Sequence, residues 1–177
     1  ETSPPSRVQA ERVGTCTICL EETNELSSCP CRGSQGHVHF ACEKASYVTR
    51  ADWANLNCPS CKHPYEGQTA IDLGTLGLQR VEAEHGRDSL HAAEVLVNLA
   101  NAYSRIGDPR KQMELLLRAL TIQERKYGGN HRALAATLTI LGNAYGALGD
   151  AAKQRGVLLR ALTIKIRAVI VIPNFTY

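Results

Sequence analysis

Eight potential metal ligands fall between residues 16 and 61 in the order C-x2-C-x9-C-x-C-x7-H-x2-C-x15-C-x2-C. They are Cys16, Cys19, Cys29, Cys31, His39, Cys42, Cys58 and Cys61, and they include all seven cysteines of the 177-residue chain. Residues at C-x2-C spacing can approach one ion from adjacent corners of a tetrahedron. Four close pairs make two complete four-ligand shells, as two structural Zn²⁺ ions require. Spacing alone does not say which pairs share an ion. The competing reading, a set of buried or disulfide-bonded cysteines, fits this spacing poorly. Full shells leave no position open for water or substrate, and no activated nucleophile or acid–base pair accompanies them. The metals are therefore expected to be structural, with no catalytic residue.

The cysteines occupy one third of the chain, so its two parts differ in kind. The ligand region has few aromatics (Phe40, Tyr47, Trp53 and Tyr65) and is too short to bury a sufficient core; metal binding would supply the missing stability. Thiols kept as metal ligands fit a reducing compartment, hence an intracellular, soluble protein in the cytoplasm or nucleus. No apolar run approaches the roughly 18 residues of a membrane span, so no span is expected, nor is a signal peptide; a start at Glu1 without methionine suits a fragment. The net charge of +3 is too small to argue for nucleic acid. It is unevenly placed: residues 1–66 hold six Lys/Arg and eight Asp/Glu, the remainder fourteen and nine. The second part would suit an acidic partner.

The ligand spacing and the words CTICLEE, CPCRGSQGHVHFAC and CPSCK resemble the RING-CH (RING-variant) zinc fingers. The PHD finger, with the same ligand order, usually has more residues between its third and fourth ligands and fewer before the histidine. It also tends to carry a tryptophan where this chain has Leu56. The RING-CH resemblance implies an α+β cross-brace fold. One ion would take Cys16, Cys19, His39 and Cys42, the other Cys29, Cys31, Cys58 and Cys61. It also implies a short helix over 43–51, with His37 an exposed loop residue and His63 a bystander. It further implies an E3 ubiquitin-protein ligase that docks a ubiquitin-conjugating enzyme and favours transfer without a covalent intermediate. By position, Ile18 and Pro59 match the apolar contacts to that enzyme. Lys62 stands where many RINGs place a cation, and its ammonium can donate there, though less well than a guanidinium fork. The groove tryptophan of the family is replaced by Ser46, with Tyr47 beside it. Trp53 either fills the groove from a longer loop or caps the small core.

Beyond a polar stretch read as a linker (66–75), the sequence repeats with a period of 42 residues. NAYSRIGD (101–108) returns as NAYGALGD (143–150), and LLRALTI (116–122) returns unchanged at 158–164; fifteen of 26 positions match between 100–125 and 142–167. Such repetition means stacked helical hairpins. The first helix of each unit has apolar residues at helical spacing: Leu96, Leu99, Ala100 and Tyr103, then Leu138, Leu141, Gly142 and Tyr145. Gly107 and Gly149 should end these helices, and Asp108–Pro109 and Asp150 should start the next. The second helices should bury Leu116, Ala119 and Leu120, then Leu158, Ala161 and Leu162. Asp88 and Asn130 are plausible caps, and 73–86 reads as one further helix of the second type. Gly156 should weaken the last helix.

The spacing of leucine, small residue, tyrosine and glycine resembles the tetratricopeptide repeats of kinesin light chains. It departs at Gln112 and Gln154, where that family has a close-packing alanine, so the helix pairs are expected to splay slightly. The resemblance implies a groove for a partner or substrate peptide, with Asn101, Arg105 and Asn143 facing it. The domain reading is a leader (1–14), a zinc finger (15–65), the linker, an all-α repeat (76–167) and a divergent tail (168–177). The pairing of the two modules looks like a family of predicted algal proteins. A non-catalytic adaptor and, less favoured, a PHD-like reader of histone tails are the rival functions.

Overall fold

The computed structural model describes residues 13–31 and 36–170. Most of the expected leader and the end of the expected tail lie outside them. Among the described residues are one short antiparallel strand pair, β1 (Gly14–Thr15) with β2 (Glu22–Thr23), and six helices. These are α1 (Phe40–Arg50), α2 (Gly67–His85), α3 (Leu90–Arg105), α4 (Pro109–Tyr127), α5 (Leu134–Ala147) and α6 (Ala151–Ile170). None is long and apolar enough to cross a membrane. The helices α2 to α6 pack in sequence, each against the next, as a helical repeat does.

The stretch expected to be a linker is helical from Gly67 onward. The reason lies in its apolar spacing: Ala70, Leu73, Gly74, Gly77 and Val81 fall on one buried face. Two glycines weaken its helix propensity, so composition alone reads as a connection. They are small because the neighbours come close. A Cβ at Gly74 would meet the Leu99 and Leu56 side chains, and one at Gly77 would meet the Tyr47 hydroxyl and the Trp53 carbonyl. One core therefore runs without a break from Cys29, Tyr47, Leu56, Cys58 and Tyr65, through Ile71 and Leu73, to Leu116, Leu138 and Ile164.

The repeat punctuation is hydrogen-bonded in duplicate. Past α3, Gly107 (φ 78°) lets Asp108 N–H reach the Tyr103 carbonyl; past α5, Gly149 (φ 78°) lets Asp150 N–H reach Tyr145. Both are the glycine-closed ends that satisfy orphan carbonyls. The Asp108 and Asp150 carboxylates then accept from Lys111 N–H and Lys153 N–H in the first turns of α4 and α6. The caps expected at Asp88 and Asn130 are not used. Ser89 caps α3 by accepting from Ala92 N–H, which frees Asp88 to pair with Arg125, while α5 begins after Ala133. Room for Gln154 comes from Gly146, whose missing side chain it occupies, and Gln112 is buried.

A brace also repeats. Arg118 on α4 contacts Glu82 on α2 at 2.5 Å and donates to the Arg87 carbonyl. Forty-two residues on, Arg160 of α6 contacts Glu124 of α4 at 2.5 Å and donates to the Gly129 carbonyl. The expectation that Leu162 is buried like Leu120 fails: Leu120 is 8% exposed and Leu162 is 52% exposed. Leu120 lies on α4, which α5 packs against, and no described helix follows α6.

Candidate metal centre

The two C-x2-C segments fold identically. Cys16 N–H donates to the Glu21 carbonyl while Leu20 N–H returns to the Cys16 carbonyl; Cys58 N–H donates to His63 while Lys62 N–H returns to Cys58. The turn needs a left-handed residue just after its second cysteine, and Leu20 (φ 66°) and Lys62 (φ 63°) adopt it without being glycine. Each loop aims two sulfurs to one side. His39 and Cys42 come from the entry to α1, which begins at Phe40 rather than at residue 43. The Glu25 carboxylate accepts from Phe40 N–H at 2.6 Å, capping a helix whose own N-cap residue, His39, makes no side-chain cap.

Two groups of four result. Cys16, Cys19, His39 and Cys42 form one; Cys29, Cys31, Cys58 and Cys61 form the other, with all ligand atoms of each group within 4.8 Å of one another. Chain order is thus interleaved, the first and third pairs converging and the second and fourth converging. Within the groups, Cys19 Sγ lies 3.3 Å and Cys42 Sγ 3.9 Å from His39 Nδ1, and Cys31 Sγ lies 3.8 Å from Cys58 Sγ. A tetrahedral zinc with bonds of about 2.3 Å to sulfur would separate its sulfurs by about 3.8 Å. The donor set and its spacing therefore fit metal ions in both groups.

The electrostatics within each group are uneven. Burial pushes the Cys16 thiol up, but the backbone amides of Cys19, His39 and Ile18 outweigh it and hold it at about 6. The same contest, with amides of Cys61 and Ser60, leaves Cys58 at about 7. Burial and then the neighbouring sulfurs push Cys42 up to about 11 and raise Cys31 further. Each group thus has one thiol ready to lose its proton and at least one that keeps it until a cation arrives.

Several residues that hold the site were not evident in the sequence. Glu43, 5% exposed on α1, accepts from Ser27 Oγ (2.8 Å) and Ser28 Oγ (3.0 Å), and Ser27 Oγ lies 3.0 Å from Cys29 Sγ. It follows a ligand of one group and fixes the loop that carries a ligand of the other. His37, expected to be exposed, is half-buried with its ring over Gly14, where any Cβ would collide. His63 is exposed, with its ring on the Cys61 carbonyl.

Ile18, Pro59 and Lys62 are exposed, Ile18 by 50%, and Lys62 Nζ donates to the Pro59 carbonyl at 2.7 Å. Trp53 stands apart from them. Its ring meets Tyr47 edge-on at 5.6 Å and packs toward Leu78, Val81 and Val95 of α2 and α3. Burial pushes the Tyr47 phenol up to about 12, so its hydroxyl remains a donor, and it donates to the Trp53 carbonyl. Asn101 and Arg105 line a polar cleft of about 450 Å³ between α3 and residues 52–57. There Asn98 Nδ2 donates to the Ala54 carbonyl and Arg105 to the Tyr65 carbonyl. Asn143 is exposed one repeat further on.

A tetratricopeptide repeat family model matches residues 92–133, one period of the repeat. The crystal structure of BtubC (BKLC) from P. vanneervenii is similar over 80% of this chain and 70% of that chain, at 16% identity and a TM-score of 0.35. No curated protein matches.

Proposed function

We propose that the chain is a zinc-dependent E3 ubiquitin-protein ligase of RING-CH type, whose tetratricopeptide-like repeats hold a protein partner or substrate. The observation that carries this reading is the interleaved grouping of the eight ligands, with a one-residue gap between the third and fourth. Soft thiolates with one imidazole at tetrahedral spacing suit Zn²⁺ over hard cations. The ions would hold the two knuckles and α1 together and supply no chemistry of their own. Activity would then be positional. Ile18, Pro59 and Lys62, at the tips of the two knuckles, would dock a ubiquitin-conjugating enzyme, and a substrate lysine would attack the thioester it carries. On the repeats, Asn101 and Asn143 would meet a peptide. Arg105 would be less free to do so, because it serves the Tyr65 carbonyl.

One observation favours a second reading, a non-catalytic adaptor. Trp53 is taken up between Tyr47 and helices α2 and α3, so nothing aromatic replaces the family's groove tryptophan from that position. Two measurements separate these readings. Elemental analysis of protein purified without chelator should give two zinc ions per chain; one ion, or disulfides with none, removes the RING-CH reading. Self-ubiquitination across a panel of conjugating enzymes should then appear with the native chain, weaken in Ile18→Ala and vanish in Cys16→Ser. Two bound zinc ions with no activity from any enzyme would leave the adaptor.

A further inference from the structure

The 42-residue register exposes a difference between α4 and α6 that composition hides. Leu116 on α4 is fully buried and Leu120 nearly so, but their counterparts Leu158 and Leu162 are half-buried and exposed. Leu158, Leu162, Lys165 and Ala168 follow one another at three- and four-residue steps, so they share one stripe of α6. That stripe runs into a largely apolar cleft of about 760 Å³ between α5 and α6. Arg132, Ala135, Thr139, Ile140, Lys165 and Ala168 line it.

Compared position by position with its first-repeat equivalent, the cleft is more basic. Arg132 stands where the first repeat has Leu90, and Lys165 where it has Gln123; Glu94 becomes Ala136, Asn98 becomes Ile140, Val97 becomes Thr139 and Lys126 becomes Ala168, so one cation and one acid give way to two cations and no acid. Residues 132–170 hold six cations and a single acid, Asp150, which is bound by Lys153. Neither Arg132 nor Lys165 forms an ion pair among the described residues.

Two other occupants fit poorly. A further repeat of the same kind would bring its brace arginine to the position of Glu82 and Glu124, but α6 has Ile166 there, 47% exposed. A second copy of this end would oppose like charges. An acidic amphipathic helix meets every requirement at once. We propose that this open end binds such a helix from a partner protein, its leucine-type face on Leu158 and Leu162 and its acidic edges on Arg132 and Lys165, seated on α6 as α5 is on α4.

The inference rests on the repeats as an interaction surface and not on ligase activity. Its test contains no ubiquitin component, so either result leaves that reading where it stands. Three fluorescent synthetic helices of about 18 residues, or five turns, share one leucine face and differ in having Glu, Gln or Lys along both edges. Each is titrated into the full chain by anisotropy. The Glu helix should bind about tenfold more tightly than the Lys helix, as two exposed ion pairs allow, and the difference should shrink at high salt. Arg132→Gln with Lys165→Gln, both exposed, should abolish the difference with helicity unchanged. Leu162→Asp should remove binding. Equal affinity for the three helices, no binding of any, or a Glu helix indifferent to these variants would overturn the proposal. So would sedimentation showing a dimer of the chain that Leu162→Asp dissolves.

Discussion

At Gly77 the ligand region comes close to the helices: the Tyr47 hydroxyl and Trp53 carbonyl occupy the space of its missing side chain. Gly77→Ala should improve the intrinsic propensity of α2 and yet destabilise the chain by about 1–3 kcal/mol through overpacking. Urea unfolding would measure it. Tyr47→Phe, which removes the hydroxyl in the way, should recover part of the loss in the double variant; a purely additive result would place the strain elsewhere. The ligand thiols make a second residue-level prediction. A depressed thiol pKa means a thiolate that persists above it and is lost as pH falls through it. Above that window Cys16, at about 6, and Cys58, at about 7, enter metal loading already as thiolates, and below it they enter protonated, so each ion loaded should displace more protons at pH 5.5 than at pH 8. Proton release followed with a pH indicator while zinc is titrated into the metal-free chain checks it. The same release at both pH values would contradict it. The ligands themselves were legible because thiol spacing is dictated by the ion. Glu43, Glu25 and the Gly14–His37 contact were not, because each works across a distance that no local pattern encodes.

At the scale of elements, α3 to α6 were readable because a repeated apolar stripe, a glycine stop and an aspartate cap agree with one another. The first half of α2 was not, since Gly74 and Gly77 lower its propensity and only tertiary packing explains them. The exposure of Leu162 escaped for a related reason: identical words at 116–122 and 158–164 have different neighbours. Gly156 faces open space on α6, with nothing within 4 Å of the place a Cβ would take. Gly156→Ala should therefore stabilise the last helix by about 1 kcal/mol, seen as a raised melting temperature. The brace gives the opposite sign. Arg118→Ala should cost about 1 kcal/mol, because a partly buried ion pair and a carbonyl bond are lost together. At the matching position, Arg160→Lys should recover only part of the Arg160→Ala loss, because Arg160 meets Glu124 with one fork nitrogen and the Gly129 carbonyl with the other, which a single ammonium cannot copy. No change in stability for Arg118→Ala would mean that the brace is surface decoration.

Across the whole molecule, the unbroken core from Cys58 to Ile164 joins one of the candidate ligand groups to the helices. On the zinc reading proposed above, chelation should lower the melting temperature of the helical signal at 222 nm, not only that of the ligand region, and re-addition should restore it. Two independent transitions, with the helical one indifferent to chelator, would show that the parts fold separately. The same feature has a consequence for what the molecule can reach. With α2 starting at Gly67, two residues after Tyr65, and packed against Tyr47 and Leu56, the ligand loops and the repeat helices share one core among the described residues. Such a core acts as a set square rather than a tether. On the function proposed above, a partner laid along the repeats would meet a conjugating enzyme at one fixed offset, and only lysines lying at that offset would come within range of transfer.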